Sequence, residues 1–275
     1  MSMNRFSTIL FFVLSICTLC LQGQNVLLSP ISPRSNAMGK TALNFTDLHS
    51  LFGNQAGLAN LESFGVMGMV EQRYLLAELN QAAFGAALPT FSGVFGLTLR
   101  NFGTGDYRET GAGLAYARKL SDRLRIGGQL HWSQISIIEY GNRSLFNVDF
   151  GLQAELLPKL WAAAQVRNAI RQQLLDGEYT PTIFSAGLSY AVGDKVMLFT
   201  ELYKDIDFPA DMRIGIEYNP SKAIFLRAGV NTAPGGWSFG FGLPVFQNLV
   251  FDCAAAYHPY LGFTPSAGLA FRKKK

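Results

Sequence analysis

The stretch Phe146-Asn147-Val148-Asp149-Phe150-Gly151-Leu152-Gln153-Ala154-Glu155-Leu156 decides how the chain is read. Phe146, Val148, Phe150, Leu152, Ala154 and Leu156 share one parity, and Asn147, Asp149, Gly151, Gln153 and Glu155 share the other. Side chains of a strand point alternately to its two faces, so this segment is a strand with an apolar side and a polar side. The same alternation recurs between turn signals near residues 63–74, 80–89, 92–101, 107–119, 123–136, 145–157, 159–168, 181–192, 195–204, 211–219, 223–232, 236–244, 248–257 and 263–272. About fourteen such segments predict a closed, antiparallel transmembrane β-barrel, apolar side to lipid, with both ends of the chain on the periplasmic side.

The turns give an independent check, because an outer-membrane barrel has short periplasmic turns and longer outer loops. Turns after even strands are mostly short: Pro89 to Phe91, Leu120 to Asp122, Pro158, Gly193 to Asp194, and Asn219 to Lys222. Those after odd strands are longer: Asn101 to Asp106, Ile137 to Ser144, Ala169 to Thr180, Lys204 to Ala210 and His258 to Gly262, with Thr232 to Gly235 an exception. A soluble sandwich lacks that polarity. Tyr116, Tyr190, Tyr218, Tyr257 and Phe271 fall on apolar faces toward strand ends, where interfacial girdles form.

The amino-terminal end carries Asn4 and Arg5, an apolar run from Ile9 to Leu21, and then Gly23 and Gln24. This pattern predicts a secretory signal peptide over residues 1–23, too short in its apolar run to be a membrane span. Bulky Ile16 and Leu19 argue against a lipid-anchored cysteine. Cys17 and Cys20 leave with the leader, so the remaining Cys253 has no intramolecular disulfide partner. The formal charge of +4 includes Arg272 and Lys273 to Lys275, leaving a nearly neutral body that gives no reason to expect nucleic acid.

Residues 24–61 do not alternate, yet they are too apolar to stay in water, so they must pack somewhere. They contain Asn36-Ala37-Met38-Gly39-Lys40-Thr41-Ala42, then Asp47, then Leu51-Phe52-Gly53-Asn54-Gln55-Ala56-Gly57-Leu58-Ala59. This succession resembles the segment that leads into the first strand of PorV/PorQ family barrels, within the FadL-like superfamily. There a small-residue A-x-G-G helix runs through an acidic residue to an N-P-A-G-L turn. Lys40 stands in place of the second glycine and Gln55 in place of the proline, while Asn54, Ala56, Gly57 and Leu58 are kept.

The resemblance implies a fourteen-stranded barrel over residues 62–275 whose segment 24–61 folds into the lumen as a hatch. Met38, Gly39, Asp47, Asn54, Ala56, Gly57 and Leu58 would form the hatch motif. It also implies two roles. PorV and PorQ serve type IX protein secretion, so a PorV/PorQ-like chain would be an outer-membrane accessory that binds secretion-machinery proteins. FadL-like members pass hydrophobic molecules, which makes a passive transporter of a small hydrophobic ligand the alternative. Modest outer loops and a charge-balanced lumen favour the first at this point.

The polar faces carry Arg125, His131, Asp149, Glu155, Arg167, Glu201, Arg213, Glu217, Arg227 and Asp252. Such a balanced set in an enclosure of low dielectric is expected to pair internally and close the pore, unlike the single-sign ring of a selectivity filter. Glycines inside strands, among them Gly111, Gly113, Gly127, Gly128, Gly240 and Gly242, mark barrel bends or places where a plug approaches the wall. His131, Ser133 and Asn147 are the residue types of an outer-membrane lipid hydrolase, a remote alternative. Leu130 and Trp132 claim the lipid face, which turns His131 and Ser133 inward, so no catalysis is expected. With His49, His131 and His258 dispersed and one mature cysteine, neither a metal site nor a cofactor is expected.

Overall fold

A computed structural model describes residues 32–175 and 178–273. The expected leader, residues 24–31, residues 176–177 and the last two lysines lie outside the described residues. Fourteen strands close into one antiparallel barrel. In chain order they are β1 (Gly65–Gln72), β2 (Asn80–Pro89), β3 (Val94–Phe102), β4 (Tyr107–Ser121), β5 (Leu124–Ile137), β6 (Gly141–Leu157) and β7 (Leu160–Arg167). After a separate two-stranded hairpin, β8 (Gln173–Leu175) and β9 (Glu178–Tyr179), come β10 (Ile183–Val192), β11 (Val196–Asp205), β12 (Asp211–Ser221), β13 (Ile224–Asn231), β14 (Gly236–Phe246), β15 (Leu249–His258) and β16 (Gly262–Arg272). Each strand pairs with its neighbour in sequence across the hairpin, and β1 closes on β16 from Gly65 against Arg272 to Glu71 against Ser266.

The alternation decides which way each residue points. Phe146, Phe150 and Leu152 are exposed on the outside, whereas Asn147, Asp149 and Gln153 are almost fully buried inside. Outward apolar residues continue around the ring, including Leu99, Leu114, Leu130, Leu188, Ile214, Phe239 and Leu269. Backbone hydrogen bonds are satisfied within a closed sheet, so this apolar exterior is built for lipid. Cys253 pairs with outward Phe241 and Ala267 on the same face.

The largest buried apolar cluster lies inside the barrel. Leu48, Leu51, Phe52, Leu58, Ala59 and Leu61 of the N-terminal segment pack on Met67, Met69, Ala83, Ala87, Val94, Ala115 and Ala117 of β1 to β4. On these strands the inward face is therefore apolar as well, unlike that of β6. A second cluster joins Met38, Ala42 and Phe45 to Phe199 of β11. Burial of this segment, whose own sequence forms no strand, supplies a hydrophobic core that a hollow barrel lacks.

One stretch of wall is built differently. The last β6 to β7 pair is Phe150 with Val166, so on that side β6 continues up to Gly141 with no strand paired to it among the described residues. The loop after β7 covers that edge with individual hydrogen bonds. Ala169 N–H donates to the Val148 carbonyl at 2.9 Å. The Gln172 amide accepts from Phe146 N–H at 3.1 Å and donates to the Phe146 carbonyl at 2.6 Å, as a paired strand residue would.

Candidate functional site

The N-terminal segment begins with helix α1 (Pro33–Ala37), started by Ser32, whose hydroxyl accepts from Ser35 N–H, and by Pro33. The chain then leaves the helix through Gly39 and Lys40, both left-handed, at φ +63° and +67°. Glycine has no Cβ to clash there, whereas lysine is strained, which accounts for the glycine that the related motif places at position 40. Gly39 is needed for a second reason. A Cβ on it would stand 2.4 Å from the Val230 carbonyl oxygen, and its N–H donates to Ser238 Oγ at 2.9 Å.

Two tight turns follow, Leu48–Phe52 and Gln55–Asn60, capped by Asp47 and Asn54. Asp47 accepts from His49 N–H at 3.0 Å and Asn54 from Ala56 N–H at 3.1 Å. Gly57 lies so close to the Phe45 carbonyl that a Cβ could not be added. Gln55 takes the first position of its turn, where proline is well suited. As glutamine it gives what proline cannot: its amide donates to Gln129 at 2.5 Å and accepts from Gln165 at 3.1 Å.

These contacts are part of a seat formed by β3, β5, β6 and β7. Gly127 and Gly151 are partners across β5 and β6, and both face inward without a side chain. A Cβ at Gly127 would meet Ala56 N at 2.5 Å, and one at Gly151 would meet Asn54 Oδ1 at 2.0 Å. Asn54 also donates to the Leu152 carbonyl at 3.1 Å. Gln153 donates to the carbonyls of Leu43 and Phe45, and Gln165 donates to that of Gly53. Leu51 and Leu58 press against Gly96.

Opposite this seat the segment meets charges. Arg34 binds Glu217 with two parallel hydrogen bonds, Nε at 2.9 Å and Nη2 at 2.7 Å, and reaches Asp47 at 2.5 Å. Glu217 also accepts from Arg227 at 2.7 Å, Arg227 binds Asp252 at 2.5 Å, and Asp252 faces His49 Nε2 at 3.3 Å. Burial is the largest single influence and works against the Asp47 carboxylate, but the Arg34 guanidinium and the contacts from His49 together outweigh it, so its pKa lies below the usual carboxylate range. Next to this group, Glu201 accepts from Ala42 and Leu43 N–H, while Arg213 contacts Glu201, Asp211 and the Lys40 carbonyl and stacks 3.8 Å above Tyr203.

The remaining residues singled out by alternation fall elsewhere. His131 binds Asp149 at 2.9 Å, and Arg167 joins them, Arg100 and Phe52 around a cavity of about 10 Å³. Arg125 lies 4.0 Å over the Trp161 ring, with Glu155 paired to Trp161 in register on the inward side. Ser133 is buried, its hydroxyl has no hydrogen-bond partner, and it stands opposite Leu145, whereas His131 stands opposite Asn147. Serine, histidine and amide are thus not connected as a hydrolase requires. Alternation did not mark Arg34 and His49, which lie outside any strand, or Asp211, whose strand end was its boundary. Gln129, Gln153 and Gln165 carried a signal in their inward parity.

Outside the glycine pair lies an apolar hollow of about 1140 Å³. Gly128, Ala164 and Ala186 face it from the wall, and Phe95, Tyr116, Phe150, Phe184 and Leu202 stand around them. Its upper part borders Val148 and Val166, where β6 rises past β7. Across the hollow's floor, Gly127 and Gly151 leave only backbone between lipid and the Asn54–Ala56 turn.

No family model matches the chain, and no curated protein matches it. Solved structures do. The Pseudomonas putida toluene transporter TodX superposes with a TM-score of 0.71 at 10% identity, over 91% of this chain and 100% of that one. The likeness is one of fold. The Ralstonia pickettii toluene transporter TbuX gives 0.70 at 12% identity over 90% and 99%, and the monoaromatic hydrocarbon channel CymD gives 0.68 at 13% over 92% and 100%. The superposition spans the barrels almost from end to end.

Proposed function

We propose that the chain is a passive outer-membrane passage for small hydrophobic molecules, with residues 32–61 as the hatch that closes its lumen. The observation that carries this reading is the apolar hollow, open to the lipid side, lying over the Gly127 and Gly151 pair, where the wall is reduced to backbone. A molecule without charge loses nothing by leaving water for such a surface, and a cavity of this size suits a small ligand. Movement of the Asn54–Ala56 turn away from Gly127 and Gly151 would let it pass between hollow and lumen. The resemblance in fold to channels described as carrying toluene and monoaromatic hydrocarbons supports the same reading. The secretion-accessory role keeps only the short lead-in motif in its favour. No lipid hydrolysis is proposed, since Ser133 is held away from His131.

Uptake of radiolabelled toluene by cells expressing the chain tests the proposal. Expression should raise the initial rate, and Ala164→Trp, which fills the hollow from outside, should return it toward that of cells without the protein. Equal uptake with and without the chain would refute it.

A further inference from the structure

The charged residues that join the N-terminal segment to the wall form a closed circuit. Asp47 binds Arg34, Arg34 binds Glu217, Glu217 binds Arg227, Arg227 binds Asp252, Asp252 faces His49, and His49 N–H returns to Asp47. Arg34, Asp47 and His49 belong to the segment; Glu217, Arg227 and Asp252 belong to β12, β13 and β15. We infer that this circuit is a latch on the hatch and that the protonation of His49 sets its strength. The inference rests on the segment being a hatch, but it does not require that the barrel conduct.

The circuit holds three carboxylates, two guanidiniums and one imidazole. With a neutral imidazole it carries one uncompensated negative charge inside a low-dielectric enclosure, and with a protonated one it balances. Among these side-chain types only imidazole changes charge between about pH 5 and 8. Arg34 keeps Asp47 ionised throughout that window, so the carboxylate does not compete for the proton there. His49 is buried, its Nδ1 has no hydrogen-bond partner among the described residues, and its ring meets Phe45 edge-on with centroids 6.3 Å apart.

Two effects oppose each other at His49. Protonation places a second N–H on an unpartnered buried atom and takes a positive charge out of water, both unfavourable. It also cancels the uncompensated negative charge of the circuit beside Asp252 and Asp47, and we take this attraction at short range in a low dielectric to outweigh them. The remaining charges on strands packed against the turn have other contacts. Glu71 of β1 binds Asn36 and Arg73, and Arg100 of β3 lies over the Phe52 ring. The turn Gln55–Asn60 brings no ionisable side chain. The sign follows: acid tightens the latch, and its hold weakens as pH rises through the imidazole titration.

Hydrogen exchange of the full chain in nanodiscs tests this, read on peptides from residues 41–60 and corrected for the intrinsic pH dependence of exchange. Protection there should fall about tenfold from pH 5 to 8 while barrel amides stay constant. His49→Gln, which cannot charge, should be flat at the alkaline level. Constant protection in the native chain, or the same slope in His49→Gln, would overturn the latch. If that variant fails to assemble, the His49 imidazole resonance of the native chain decides: titration in step with protection supports the inference, and a shift that stays constant defeats it. A pH-dependent latch in a barrel that gives no toluene uptake would leave this inference standing and remove the transport reading.

Discussion

The two flanks of the barrel hold the same segment by different physics. On the β12 to β15 flank Gly215 and Gly229 also lie bare against Met38 and Gly39, but the contact adds a set of buried ion pairs, directional and fixed in register by Arg34. On the β3 to β7 flank it is a match of shape, in which glycines give up their side chains so that a turn can lie on bare backbone while glutamines satisfy its carbonyls. The charged flank is costly to disrupt and needs every partner present. The β3 to β7 flank is tight yet shows no ion pair to the segment among the described residues, and it is the flank with the hollow on its outer side. On the proposed reading, a segment held by charge on one flank and by shape on the other would leave its seat without breaking its ion pairs.

That contrast is open to attack from either side. The largest effect should come from Arg227→Ala, which leaves buried Asp252 without its guanidinium and Glu217 with Arg34 alone; removing one partner of a buried pair costs about 3–5 kcal/mol. The thermal transition of the purified barrel should drop steeply, and a small change would show that water already reaches this flank. Next, Phe150→Lys sets a charge in the lipid-facing wall of the hollow, costing about 2–4 kcal/mol near mid-bilayer. The heat-modifiable folded band on gels should weaken, whereas a band as strong as that of the native chain would place Phe150 away from lipid.

Gly127→Leu should cost about 1–3 kcal/mol by overpacking, because its Cβ would meet the backbone of Gln55 and Ala56, which cannot rotate away. Limited proteolysis should then cut residues 41–60 while the strands remain intact. Resistance like that of the native chain would mean that the seat has slack. The smallest effect is Lys40→Gly, which removes left-handed strain of about 1–2 kcal/mol while adding freedom to the unfolded chain. A rise of a few degrees or less in the thermal midpoint is expected, and a fall would show that the Lys40 side chain contributes more than its backbone costs.

The barrel was legible because a period of two survives wherever one face meets lipid and the other does not. Residues 145–157 and 211–219 show it without interruption, and their strands lie where the alternation puts them. The hairpin β8 to β9 went unseen because strands of three and two residues are too short to show a period. In β1 and β2 both faces are apolar, Met67 and Met69 inside and Val66 and Val70 outside, so period alone left the direction of the strand undecided. The candidate site was legible only in part. Inward parity marked Glu217, Arg227 and Asp252, but their partners Arg34 and His49 are separated from them by more than 150 residues and follow no period. Gln55 looked like a loss of proline, and only its contact with Gln129 and Gln165 shows what replaced it.

Single-channel conductance in planar bilayers, comparing the full chain with one lacking residues 36–58, tests the central claim most directly. If that segment closes the lumen, the full chain should show low, infrequent steps and the shortened barrel large, sustained ones, with both giving the folded band on gels. Equal conductance from two folded barrels would contradict the account, because the segment would then not be what stands in the passage.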